Sequence, residues 1–150
     1  MRRRLAAVLV LAALAGCDSA LAPLDASAGV AVASEAELLA AQAAWQAARP
    51  AFYRYAYSQY CEECPSGDQV GVRGGRVVET TFIEAASART LDDLFETARG
   101  VFRPGYGGEI RLSQTEPRFP VYVRVGRTTP EEFPTSDVGL IVTVTAYEAH

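Results

Sequence analysis

Phe52-Tyr53-Arg54-Tyr55-Ala56-Tyr57-Ser58 decides the fold. Its rings recur at every second position, so an extended chain puts Tyr53, Tyr55 and Tyr57 on one face and Arg54, Ala56 and Ser58 on the other. A helix would scatter those rings around its axis. Bulky aromatic residues suit a half-buried pleated surface, so the tyrosine face is expected to build the core. The alternative use of Phe52, Tyr53, Tyr55, Tyr57 and Tyr60 is a stacking platform for a glycan or an aromatic ligand. The run continues into Cys61-Glu62-Glu63-Cys64 and a turn cluster, Pro65-Ser66-Gly67-Asp68. Beyond it, Gln69 to Arg73 alternates through Val70 and Val72. Gly74-Gly75 supplies the positive φ of a tight hairpin, and Arg76 to Glu84 reads as the return strand.

Upstream of the aromatic strand the period is that of a helix. Ser34 with Glu37 three residues on suits a capping box, and Pro50 is a stop signal. Leu38, Ala41, Trp45 and Ala48 then fall on one face, which predicts an amphipathic helix packing its Trp against the sheet. Downstream, Thr90 with Asp93 opens a second helix whose Leu91, Leu94, Phe95, Ala98 and Phe102 form one stripe, with Gly100 and Pro104 at its end. The last third alternates again in Glu109 to Ser113, Phe119 to Val125 and Gly139 to Tyr147. Pro117 and Pro120 lack amide donors, which suits a strand start or a sheet edge. Residues 127 to 138 form a polar loop. The order helix, three strands, helix, three strands, with short connections, predicts an α+β domain over residues 34–150. We expect a single twisted, mostly antiparallel sheet of about six strands with two helices on one face.

The start of the chain has another character. Arg2, Arg3 and Arg4 precede an apolar run from Leu5 to Ala15, the anatomy of a secretory signal. The run closes in Leu14-Ala15-Gly16-Cys17, which resembles the lipobox of bacterial lipoproteins. That resemblance implies a signal peptide over residues 1–16, cleavage before Cys17, and acylation of Cys17. Residues 17–33 are then the lipidated cysteine and a flexible tether, being small and weakly polar without a sustained period. The expected protein is lipid-anchored in the cell envelope, extracytoplasmic, with the membrane as a partner through covalent lipid.

Composition narrows the partners. The chain has 14 Arg and no Lys against 18 acidic residues; without the three signal arginines this is 11 against 18, a net charge of -7. That balance argues against nucleic acid, which needs a basic footprint. No segment after the signal approaches the roughly 20 apolar residues of a membrane span.

A helix with Trp45 near its end, an aromatic strand with Tyr53 and Tyr55, the close pair Cys61 and Cys64, a hairpin on Val70, Val72 and Gly75, and a helix with Leu94-Phe95 together resemble a family. It comprises small bacterial secreted and lipid-anchored proteins catalogued as domain of unknown function 6174. The resemblance spans roughly residues 41 to 146. It implies fold and location; with no activity assigned to that family, it implies no mechanism. The chain departs from the family pattern in two places. Two residues rather than one separate its cysteines, and the family's Tyr-Asp and Gly-aromatic-Pro segment appears here only as Arg118-Phe119-Pro120.

The chemistry-bearing residues are few. An exported compartment favours oxidised cysteines, so Cys61 and Cys64 are expected to form a structural disulfide. The alternatives are a redox accessory role and metal binding. A reactive pair places its first thiol at a helix N-terminus, whereas this one follows a strand with Glu62 and Glu63 between the thiols. A metal would need a second ligand pair, and the single histidine, His150, is at the end of the chain where fraying is expected. Nucleophilic catalysis lacks a positioned base for the same reason. Asp92-Asp93 and Glu131-Glu132 leave open a carboxylate-dependent envelope hydrolase, although neighbouring helical residues point apart. The reading is therefore a binding or accessory protein of the envelope that acts on an unknown envelope protein or ligand, with no catalytic, cofactor-binding or metal residues assigned.

Overall fold

Tyr53, Tyr55 and Tyr57 lie at the heart of the sheet. The computed structural model describes residues 21–61, 67–81, 87–128 and 139–150. Its strands are β1 (Ala22–Pro23), β2 (Val30–Ala31), β3 (Phe52–Tyr60), β4 (Gly67–Arg73), β5 (Arg76–Thr80), β6 (Tyr106–Leu112), β7 (Pro120–Arg127) and β8 (Leu140–Ala149). Helix α1 (Glu35–Ala48) precedes β3, and α2 (Leu91–Arg99) precedes β6. All pairings are antiparallel, in the order β2-β6-β7-β8-β3-β4-β5, with β1 also bound to β8. The class is thus α+β, with two α-helices and one antiparallel sheet among the described residues.

The period-two reading of β3 holds residue by residue. Tyr53, Tyr55 and Tyr57 are at most 3% exposed, while Tyr60 at the strand's end is 68% exposed. The tyrosines serve the core, where Val70 and Val72 of β4, Val123 of β7 and Val142 and Val144 of β8 join them. Gly74 and Gly75 turn the β4–β5 hairpin at φ 57° and 78°, a region that costs glycine little and other residues more.

Both helices cover this same face. The α2 stripe is buried as its spacing predicts, through Leu91, Leu94, Phe95 and Ala98. Its start is a full capping box: Thr90 Oγ1 accepts from the Asp93 N–H at 3.1 Å, and Asp93 Oδ2 accepts from the Thr90 N–H at 2.7 Å. The cap of α1 is half of one. Ser34 Oγ accepts from the Glu37 N–H at 3.3 Å, but Glu37 reaches past Ser34 to the Ala33 N–H at 2.8 Å. Of the α1 face, Leu38 and Trp45 are buried, Ala41 packs against the core's margin, and Ala48 is exposed. Polar pins assist the seating: Gln42 donates to Glu96 at 3.0 Å, Arg49 to Asp92 at 2.8 Å, and Arg99 lies 3.6 Å from Glu35.

Two expectations change. Among the described residues the sheet has eight strands rather than about six, and the order gains two strands before α1. Both come from the segment read as a flexible tether over 17–33, whose described part, from Leu21 onward, is built into the sheet. Ala22 pairs with Tyr147, Pro23 with Ala146, and the Leu24 N–H donates to the Thr145 carbonyl at 2.8 Å. Val30 and Ala31 then pair with Leu112 and Arg111 of β6. The cause is an unfilled edge. The β7–β8 ladder spans only Tyr122–Val125 against Leu140–Thr143, which leaves the flank of β8 beyond it needing partners. The segment then passes so close to the sheet that a Cβ on Gly29 would sit 2.9 Å from the Leu112 carbonyl oxygen, so glycine is required there. Pro120 does start a strand, but an interior one between β6 and β8. The return strand, expected to Glu84, ends at Thr80. Residues 82–86 and most of the expected 127–138 loop lie outside the described residues.

Candidate functional site

Cys17 and Cys64 lie outside the described residues, as do Glu131 and Glu132. Cys61 directly follows β3, at the end of the strand remote from Phe52. Cys61 thus lies where β3 leaves the sheet. On the neighbouring strand, opposite Tyr57, the buried Asp68 carboxylate accepts from the Gln69 and Thr81 amides at 2.7 and 2.8 Å, tying the start of β4 to the end of β5.

The carboxylates of α2 are occupied structurally. Asp92 holds Arg49, and Asp93 caps its own helix. A general acid needs its pKa raised, yet Asp25 and Glu79 move the other way. Hydrogen bonds from Ser27 lower Asp25, and the Arg54 guanidinium, at 2.9 and 3.2 Å, lowers Glu79. Among the described residues no three His, Cys, Asp or Glu side chains converge as metal ligands would. His150 is not frayed: its N–H donates to the Phe52 carbonyl at 3.0 Å, and its ring lies 3.1 Å from Glu148.

Two of the surface depressions among the described residues hold an arginine beside acidic side chains. A cleft of about 690 Å³ beside α2 is lined by Arg89, Asp93, Glu96, Thr97, Arg103 and Tyr106. Its central cation is engaged, since Arg89 donates to Gln59 at 3.3 Å and Thr97 at 3.2 Å while its carbonyl accepts the Tyr55 hydroxyl. On the sheet face away from the helices, a hollow of about 300 Å³ lies between Ala26-Ser27 and Glu109, Arg111, Tyr122 and Thr143. There Arg111 is bound to Glu109 at 2.7 Å and to the Ser27 carbonyl. The Ser27 hydroxyl beside this hollow donates to the Asp25 carboxylate at 2.6 Å, the same oxygen that accepts the Ser27 N–H at 2.9 Å and so closes a local turn.

The cationic end of the sheet is different, and sequence spacing hid it. Phe52 opens β3, Arg73 is its Cα partner on β4, and the two-glycine turn joins Arg73 to Arg76. The Arg73 guanidinium lies 5.0 Å from the Phe52 ring centroid, Arg54 lies 5.3 Å from it, and the His150 ring lies tilted at 31° with its centroid 5.4 Å away. Arg49, at the end of α1, approaches the same turn, 3.4 Å from where a Cβ on Gly75 would stand. These residues span about a hundred positions of the chain, so only strand pairing unites them. The chain matches no family model, no curated protein and no solved structure.

Proposed function

We propose that this chain is a lipid-anchored extracytoplasmic protein of the bacterial cell envelope. Its α+β domain acts by binding or as an accessory to an envelope assembly, without chemistry of its own, in keeping with the small lipid-anchored proteins it resembles. The observation that carries the reading is Leu14-Ala15-Gly16-Cys17 at the end of an apolar run behind three arginines. The structural use of Asp92, Asp93, Glu79 and Arg89 supports the non-catalytic part. Among the described residues no helix is long and apolar enough to cross a membrane. Attachment in this reading falls to acyl chains, with about 0.8 kcal/mol for each buried CH₂. Cys17→Ser is expected to abolish incorporation of radiolabelled palmitate and to leave an uncleaved or released protein. Unchanged labelling would overturn the anchor.

Within the same reading Cys61 and Cys64 form a structural disulfide. So short a loop gains less from cross-linking than the roughly 3 kcal/mol of a 15-residue one, and the benefit is local to the join between β3 and β4. The protein is expected to show neither thiol as free before reduction, and Cys61→Ala with Cys64→Ala to fold but melt at a lower temperature. A reduced pair in cells, or insulin reduction in a coupled assay, would assign the cysteines to redox chemistry instead.

A further inference from the structure

The direction of β1 fixes where an anchor would pull. Because Ala22 faces Tyr147 and Pro23 faces Ala146, each step back along β1 is a step forward along β8. At Ala22 the chain therefore points toward Glu148, Ala149 and His150, and so toward the end that carries Phe52, Arg73, the glycine turn and Arg76. Cys17 precedes Ala22 by five residues, a reach of at most about 18 Å at 3.3–3.6 Å per residue. From the Tyr147–Tyr55–Val70 row to the His150–Phe52–Arg73 row is three residues, roughly 10 Å along the strands. Five residues are thus long enough to reach past this end by several ångströms. They reach the Tyr60 end, roughly 17 Å the other way, only if fully extended and doubled back.

Charge at this end suits an anionic surface. Asp92 is paired with Arg49 and Glu79 with Arg54, while Glu148 lies 3.1 Å from the His150 ring. Arg73 and Arg76 are exposed, and among the described residues neither has a carboxylate within 4.0 Å. The domain as a whole is acidic, so an anionic membrane repels the rest of it and attracts this end. Phe52 lies beneath the Arg73 guanidinium as an amphipathic platform at the same level.

We infer that the Phe52–Arg73 row and the Gly74-Gly75 turn with Arg76 form a docking surface for anionic phospholipid headgroups, which holds the domain end-on against the membrane that anchors it. The inference rests on the lipid-anchor reading, which brings this end to the bilayer. To test both, the full chain is purified from membranes of a host that acylates lipoproteins and reconstituted into phosphatidylcholine vesicles or equimolar phosphatidylcholine and phosphatidylglycerol vesicles. Flotation reports the anchor, and amide hydrogen exchange across residues 72–77 reports docking. The turn is expected to exchange more slowly on the anionic vesicles, with the Leu140–Val142 end of β8 unchanged. Each arginine contributes about 5-fold in headgroup affinity, so Arg73→Gln with Arg76→Gln should erase the difference between vesicles without loss of flotation. Failure to float on either vesicle overturns the anchor and the inference with it. Flotation on both with equal exchange at the turn overturns the inference alone.

Discussion

Trp45→Ala is expected to cost about 3–5 kcal/mol, the range for removing a large buried aromatic side chain, and to lower Tm by roughly 10–20 °C for a domain of this size. The indole is fully buried, with Tyr53, Phe119 and Tyr147 around it at centroid distances of 5.4, 5.5 and 6.5 Å in edge-on geometry. Such pairs add about 0.5–1.5 kcal/mol beyond the area they bury. Trp45 is also one of the two buried residues of α1, the other being Leu38. Its loss leaves the helix held by one apolar anchor and by partly exposed ion pairs worth about 1 kcal/mol or less each. The indole N–H has no hydrogen-bond partner among the described residues. Trp45→Phe therefore removes volume and no polar contact, and should cost less than half as much as Trp45→Ala. Urea denaturation followed by far-UV circular dichroism measures both. Equal losses for the two variants, or a loss below 1 kcal/mol for alanine, would show that the cluster does not hold α1.

Alkaline pH should unfold the protein cooperatively. Tyr53 and Tyr55 are fully buried, and burial pushes both phenols well above their ordinary value; Tyr57 also moves up, and Tyr147, half-buried, is pushed up to about 12. In the unfolded chain a phenol ionises near pH 10. The folded state thus keeps protons that the unfolded state has lost, and stability falls as pH rises above that point. The contribution is fully present below pH 10. Each fully buried phenol removes about 1.4 kcal/mol per pH unit above it, so Tyr53 and Tyr55 together remove about 3 kcal/mol per unit. Against the roughly 5–15 kcal/mol that holds a small domain folded, a transition within about two or three units of pH 10 is expected. Phenolate absorbance from the core tyrosines should appear together with the loss of the circular dichroism signal. If all seven tyrosines ionise smoothly near pH 10 while that signal persists, the aromatic face is open to water and the burial argument fails.

Long periodic segments were legible in advance because side-chain alternation and backbone pairing have the same cause. Tyr53-Arg54-Tyr55-Ala56-Tyr57 could bury its rings only as a strand, and the Leu91, Leu94, Phe95 and Ala98 spacing only as a helix. Caps and turns were equally local, as the Thr90–Asp93 box and the Gly74-Gly75 turn show. The ends of strands were less so. β6 starts at Tyr106 rather than Glu109, since Gly107 and Gly108 carry no side-chain signal.

By itself the sequence determined the α+β class, the six long strands, both helices, the buried face of the aromatic strand, and the motif that nominates Cys17. The tertiary structure decided where those pieces stand relative to one another. β1 and β2 are two residues each, too short for any period, and exist because β6 and β8 present unpaired backbone to the segment that runs past them. Phe52, Arg73, Arg76 and His150 share one end of the sheet because antiparallel pairing sets the start of β3 beside the ends of β4 and β8. Hydrogen bonding between distant strands fixes that neighbourhood, and no spacing along a chain encodes it.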